Sequence, residues 1–287
     1  MILTTPATAH LDLDVASLQP HPETGDHRFP DGEVYVQVPD IDADRVTVVH
    51  SGQPDPNTGL MWLYGALAAL RERGIARDVI LTYPPYGRQD TTFFDGTLNY
   101  ARELLRTLVQ DHGAGTVHVV EPHFAHRDWL GDMPVEVLHA FDRIDDAVMM
   151  DDYMVVGPDL GAVERFRVFG EDADRATPAD GASSGIEGFE KERHGGDVSI
   201  TGDLDVAGEN VLVFDDMIAT GGTMAAAYDE LVDQGADRIE AAAVHGVLQE
   251  GVDRVASTYD ALHLTNTIDR DAATVGIEPL LRDRVNL

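Results

Sequence analysis

Two adjacent carboxylates, Asp215 and Asp216, stand at the end of an apolar run and just before a turn of small residues, Ala219-Thr220-Gly221-Gly222-Thr223. The apolar residues Val211 to Phe214 suit a buried parallel strand, and Met224 to Leu231 read as the helix that follows. The turn between them can aim backbone N–H groups and the Thr220 and Thr223 hydroxyls at an anion near the helix N-terminus, where the helix dipole also favours negative charge. Such a turn suits a phosphate. Carboxylates would repel that phosphate, so Asp215 and Asp216 suit a different part of the same ligand, accepting hydrogen bonds from sugar hydroxyls. A sugar phosphate satisfies both halves.

Further candidates lie outside this segment. Lys191 is the one lysine of the chain, and it forms a K-x-R pair with Arg193 in a polar stretch, Glu171 to Gly208. A loop of that length inside a compact domain tends to be functional. Cations that arrive as charge develops accelerate phosphoryl-type transfer by factors on the order of 10³ to 10⁵. Arg88-Gln89-Asp90 follow an expected strand, Val79 to Thr82, at the end where open α/β sheets bind ligands. The segment Phe29-Pro30-Asp31-Gly32-Glu33 reads as a turn whose Phe can stack on a base while its carboxylates accept from an amine. Asp159-Leu160-Gly161-Ala162 can present backbone amides to an anion, and the Asp159 carboxylate can hold Mg²⁺. His123, His126 and Asp128 make an H-x-x-H-x-D pattern, which by itself is a weak metal signal.

The Asp215 to Thr223 segment resembles the phosphoribosyl-binding loop shared by type I phosphoribosyltransferases and ribose-phosphate pyrophosphokinases, or PRPP synthetases. Phe29 to Glu33, Tyr83 to Asp90, Pro122-His123, Pro158 to Gly161 and Thr265 to Ile268 occur in the order and at about the spacing of the second group. The resemblance implies Mg²⁺-dependent transfer of the β,γ-pyrophosphoryl group of ATP to the 1-hydroxyl of ribose 5-phosphate. It implies a catalytic flap carrying Lys191 and Arg193, and an ATP site of Phe29, Asp31, Gly32, Glu33, Arg88, Gln89, Asp90 and His123. Asp215, Asp216 and Ala219 to Thr223 then bind ribose 5-phosphate, Asp159 to Ala162 bind the pyrophosphate, and His123 and Asp159 meet the metal. In the family the Phe29 to Glu33 segment serves a neighbouring subunit, which implies a homo-oligomer built from dimers. Three positions depart from the family pattern: Ala162 where a second Gly is common, Glu164 where Lys is frequent, and Ala219 where many members have Asp. A phosphoribosyltransferase consuming PRPP and a non-catalytic regulatory subunit are the alternatives. The absence of G-x-x-x-x-G-K-[ST] disfavours a P-loop kinase.

Composition narrows the setting. With 52 acidic against 20 basic residues the formal charge is −32, spread along the chain. Such a chain self-repels in dilute buffer and tolerates molar salt, where the Debye length is about 3 Å. This suits the cytoplasm of an extreme halophile. It disfavours nucleic acid, whose backbone needs clustered Lys and Arg. There is no cysteine for disulfides or thiolate chemistry. No run approaches the ~20 apolar residues of a membrane span, so no membrane partner is expected.

These residues need a scaffold. Val46 to Val49, Val79 to Thr82 and Val117 to Val120 read as strands, alternating with helices over Leu60 to Arg73 and Leu98 to His112. Strands at Met154 to Gly157, Val211 to Phe214 and Ala241 to Val244 repeat the pattern, with helices over Ala162 to Gly170 and Met224 to Gln234. The expectation is an α/β fold of two similar phosphoribosyltransferase-like domains, 1–138 and 139–287, each a mainly parallel sheet flanked by helices. The first would carry the ATP side, and the second the ribose 5-phosphate site and the flap.

Overall fold

The computed structural model describes residues 1–170, 187–194, 197–202 and 204–285. They form two compact units. The first comprises Met1–Leu138 together with Thr267–Asp269 and the C-terminal segment from Ile277, and the second His139–Asn266 with Arg270–Gly276. The chain is therefore not two consecutive blocks, because its C-terminal part returns to the first unit.

The first unit is built on β1 (Ile2–Thr4), β2 (Ala16–Ser17), β3 (Arg45–Ser51), β4 (Ala76–Tyr83), β5 (Val117–Val120) and β6 (Val135–Leu138), in the order β2-β1-β3-β4-β5-β6. All neighbours run parallel. Helix α1 (Pro56–Glu72) starts at a residue pair suited to it: the Asp55 carboxylate accepts from Thr58 N, and Pro56 occupies the first turn. Its Leu60, Leu63, Leu67 and Leu70 recur at helical spacing and are buried with Val46, Val48, Val79 and Leu81. Helix α2 (Tyr100–Arg106) adds Leu104 and Leu105 to that core and runs into a π turn over Thr107–Asp111. The sheet ends are closed by the returning segment. Thr267 O accepts from Ser51 Oγ at 3.2 Å and Thr82 Oγ1 at 2.8 Å. The C-terminal helix (Glu278–Val285) is held by Asp12 N to Glu278 Oε1 and Arg282 Nη2 to Asp12 O, at 3.2 and 2.6 Å.

The second unit begins with α3 (Phe141–Asp145), β7 (Tyr153–Gly157) and α4 (Leu160–Gly170), followed by β8 (Glu187–Gly188), β9 (Glu190–His194) and β10 (Asp197–Thr201). It continues through β11 (Asn210–Ile218), α5 (Gly222–Asp233), β12 (Arg238–Gly246), α6 (Gln249–Thr258), β13 (Leu262–Thr265) and β14 (Ala273–Val275), and α7 (Glu278–Val285) then returns to the first unit. Its sheet has the order β14-β13-β12-β11-β7-β8, again all parallel. β11 and β12 are buried along nearly their whole length, as strands covered by helices on both faces must be. Met224, Ala227 and Leu231 of α5 and Val252 and Val255 of α6 share one core with Val211, Val213, Ala241 and Ala243. Inside the stretch read from sequence as loop, β9 and β10 form an antiparallel hairpin in which Lys191 faces Ile200 and Arg193 faces Val198 across the ladder. The charged run E-K-E-R-H carries no apolar alternation to announce that strand.

Candidate functional site

The carboxyl end of β11 is the centre of the second unit's site. Asp215 and Asp216 lie within the strand, 9 % and 3 % exposed. The chain then leaves the sheet through Ala219 and Thr220, and Gly221 takes a left-handed conformation, φ 73, as the N-cap of α5. Glycine is required there twice over. Any other residue would pay for the left-handed backbone, and a Cβ would stand 2.8 Å from Gly251 O. Because that cap has no side chain, the N–H groups of the first turn, Gly222 and Thr223 included, are the natural place for an anion. Thr220 is exposed and Thr223 half-buried.

Helix α6 supports this turn from behind. A Cβ on Gly251 would lie 1.8 Å from Ala219 O, closer than any real contact. The helix packs backbone against backbone beneath the loop. Val247 N donates to Ile218 O at 2.8 Å and fixes the same corner from the neighbouring strand.

Asp159 follows β7. Its Oδ1 accepts from Ala162 N at 2.9 Å and so caps α4, while the Asp159 carbonyl accepts from Val163 N. Gly157 and Gly188 grip Val163 from two sides: Cβ atoms there would stand 2.7 and 2.4 Å from its Cγ2. Leu160 N donates to Phe189 O at 3.0 Å, and Phe189 is fully buried. This ties the Asp159 to Ala162 turn to the chain entering β9. Lys191 and Arg193 lie on β9, and only their backbone is described.

One member of this site has no counterpart among the sequence candidates. Arg165, one turn into α4, reaches Asp215 Oδ1 with Nη2 at 2.9 Å and Asp216 Oδ1 with Nε at 3.1 Å. Burial and the neighbouring Asp216 push the Asp215 carboxyl well above the usual carboxylate range, and Arg165 is the group that pulls it back. Burial works against the guanidinium charge, but Asp216 and Asp215 outweigh it and hold Arg165 above its ordinary value. The sequence signal was an arginine six residues after Asp159, overshadowed by the unusual Glu164 before it.

In the first unit the candidates gather at the carboxyl ends of β4 and β5 and on one turn. Phe29 to Glu33 form a tight reversal: Phe29 N donates to Glu33 O, Gly32 N to Phe29 O and Glu33 N to Asp31 Oδ1, with Gly32 at φ 93. Phe29 is 39 % exposed, with the rings of His21 and Tyr35 steeply inclined to its own at 5.8 Å between centroids. Asp31 and Glu33 are exposed. After β4, Tyr86 sits at φ 59, and Arg88 and Gln89 are exposed. Asp90 differs from them. It is buried, Arg127 Nε reaches its Oδ2 at 2.8 Å, and its carbonyl accepts from Asn99 Nδ2 and Trp129 Nε1. His123 is half-buried after β5, two residues beyond Glu121, which is buried at φ 39. Non-glycine residues held at positive φ cluster at functional sites.

Among the described residues, no group of three or more His, Asp or Glu side chains is arranged to hold a metal ion, and no helix is long and apolar enough to cross a membrane.

A phosphoribosyl transferase domain matches residues 140–279. Along nearly the full chain there is similarity to the ribose-phosphate pyrophosphokinase of Thermococcus kodakarensis, 33 % identical over 88 % of this chain and 89 % of that one. That of Methanopyrus kandleri is 31 % identical over 96 % and 92 %. The crystal structure of the phosphoribosylpyrophosphate synthetase from Mycobacterium smegmatis superposes with a TM-score of 0.76 at 27 % identity, covering 100 % of this chain and 97 % of the other.

Proposed function

The chain belongs to the ribose-phosphate pyrophosphokinase family, and from that premise we propose that it makes PRPP: the 1-hydroxyl of ribose 5-phosphate attacks the β-phosphorus of ATP, and AMP leaves. The observation that carries this reading is the join of two features in nine residues, buried carboxylates on β11 and an uncapped, glycine-started helix N-terminus after them. Thr220 to Thr223 hold the 5-phosphate, with Ala219 supplying backbone at the turn, and Asp215 and Asp216 accept from ribose hydroxyls. Phe29 stacks on the adenine, Asp31 and Glu33 flank it, and Gly32 allows the turn. Arg88 and Gln89 contact the nucleotide directly. Asp90 works from beneath them, bracing the loop through Arg127.

Mg²⁺ carried by the nucleotide would supply neutralisation of phosphate charge. Asp159 offers a hard carboxylate oxygen, the donor type Mg²⁺ prefers, and would hold the ion beside the substrate phosphates. His123 would be the second residue to meet it. The Asp159 to Ala162 turn receives the pyrophosphate, and Lys191 and Arg193 stabilise it in transit. Positioning and charge neutralisation carry the rate, and no strong general base is needed.

The test is direct: incubate the protein with ATP, Mg²⁺ and ribose 5-phosphate in molar KCl and look for AMP and PRPP in equal amounts. PRPP consumption with a nucleobase acceptor, and no PRPP synthesis, would replace this reading by a phosphoribosyltransferase. The working form is a homo-oligomer of dimers in a salt-rich cytoplasm. Mixing a Phe29→Ala/Glu33→Ala variant with Lys191→Ala should restore part of the activity, and no recovery after proven subunit exchange removes the shared site.

A further inference from the structure

We propose that Arg254 of α6 is a further binding residue of the sugar-phosphate site, the cation that meets the 5-phosphate at the Thr220 to Thr223 turn. The inference rests on the reading of that turn as the phosphate site and adds to it a side chain from another element.

The turn by itself is short of positive charge. A phosphate monoester carries about −1.5 to −2 at neutral pH, whereas Ala219 to Ala226 include no basic residue and two carboxylates, Asp215 and Asp216, stand just before them. The N–H groups and hydroxyls of the turn are neutral donors, each weaker than a charged one.

Helix α6 brings the missing charge. Gly251, Arg254 and Val255 stand at i, i+3 and i+4 and so share one face of it. That face lies against the turn, because a Cβ on Gly221 would be 2.8 Å from Gly251 O and 3.2 Å from Val255 Cγ2. Between them Arg254 reaches forward. Its Nη1 is 3.8 Å from the position a Gly222 Cβ would take, and Thr220 Oγ1 is 3.7 Å from the same position. The space left by the missing side chain at Gly222 is therefore bordered by a hydroxyl and a guanidinium, beside the N-terminus of α5.

The guanidinium is also uncommitted. Arg143, Arg165 and Arg238 of this unit are each paired with a carboxylate, and Arg270 donates to the Gly246 and Val247 carbonyls. Arg254 is exposed, and among the described residues its guanidinium has no hydrogen bond or ion pair; its carbonyl alone accepts, from Ser257 and Thr258. In a chain with 52 acidic residues, a guanidinium with no carboxylate partner is available to an anion from outside.

Calorimetry in molar KCl measures the affinities of inorganic phosphate and ribose 5-phosphate for the unaltered protein, Arg254→Gln, Arg254→Lys and the double variant Arg254→Gln/Asp253→Asn. At a Debye length of about 3 Å a charge acts by contact rather than through a distant field. Loss of one charged hydrogen bond should weaken both ligands about tenfold or more in Arg254→Gln. Arg254→Lys should stay within about threefold of the unaltered protein, since an ammonium still meets phosphate as a point charge. The double variant restores the net charge and should remain as weak as Arg254→Gln. In turnover, KM for ribose 5-phosphate should rise by the same factor while kcat and KM for ATP stay within about twofold, the signature of an interaction equal in ground and transition states. A charge that served folding alone would shift the melt and leave these affinities as they were.

Binding in folded Arg254→Gln within about twofold of the unaltered protein overturns the inference. Recovery in the double variant does so too, because the effect would then be one of net charge. Should Arg254→Gln fail to fold, Arg254→Ala is judged by the same limits. No binding of either ligand to the unaltered protein removes the phosphate turn and this inference with it, whereas binding there and in every variant removes the inference alone.

Discussion

Gly251→Ala gives the sharpest test of how the sugar-phosphate turn is supported. The added Cβ would start 1.8 Å from Ala219 O. A carbon and a carbonyl oxygen approach to about 3.3 Å at closest, so something must yield by about 1.5 Å. Two movements are available. If the loop yields, the turn proposed to hold the phosphate is displaced by more than the ~1 Å that already costs about 10²-fold in a positioned reaction. If α6 yields, Val252 and Val255 are drawn from a core where both are fully buried, and repacking of that kind costs about 1–3 kcal/mol. The expected result is a fall of about 10²-fold in kcat/KM for ribose 5-phosphate, weaker binding of inorganic phosphate, and KM for ATP close to unchanged. Steady-state kinetics, phosphate calorimetry and a thermal melt measure the three, with Ser257→Ala on the exposed side of the same helix as control. Unaltered ribose 5-phosphate kinetics together with an unaltered melting temperature would refute the claim that α6 is the floor of the turn.

The remaining expectations concern chemistry, acid and salt. Lys191→Ala should lower kcat by about 10³-fold with much smaller changes in either KM, because the proposed contact strengthens in the transition state; full activity would strip the residue of its role. As the chain has one lysine, an amine-selective reagent can report on Lys191 and the N-terminus alone, and bound substrates should slow the first. His50 is fully buried, 2.9 Å from Thr5 Oγ1, and burial pushes its pKa down from 6.5 to about 3. The unfolded chain therefore binds a proton between those values that the folded chain refuses, and stability is lost as pH falls below 6.5. His50→Gln should flatten that part of the melt-versus-pH curve, and an unchanged slope counts against the account. With charge −32, melting temperature should climb with KCl from about 0.1 M to several molar as the Debye length falls from about 10 to 3 Å; a flat series ends the halophile reading.

What could be read from sequence was what lies close together along the chain. Asp215 to Thr223 is contiguous, and its strand, turn and helix each carry their own signal, so carboxylates and phosphate turn were visible together. The buried strands announced themselves as short apolar runs, and two sets of them implied two parallel sheets. Arg165 was invisible because its meaning lies in carboxylates 50 residues away. Nothing in the sequence singles out Gly251, and the approach of Ala219 O explains it. Asp90 reads as an ATP-contacting residue beside Arg88, and the contact of its buried carboxyl with Arg127 could not be read from the sequence. The shortest strands, β1, β2, β8 and β14, hold too few residues for any alternation to register.

The return of the C-terminal segment sets an order of events during synthesis. The first unit is made first, yet the carbonyl that receives the Ser51 and Thr82 hydroxyls belongs to Thr267. The acceptor for Asp12 N arrives later still, with Glu278. A nascent chain released as far as Leu138 lacks the Thr267 carbonyl for its Ser51 and Thr82 hydroxyls and has no α7 against its N-terminal loop. The earliest part of the protein is thus completed by the last. A chain shortened so as to lose Thr267 and α7 should expose its fault in the half farthest from the truncation.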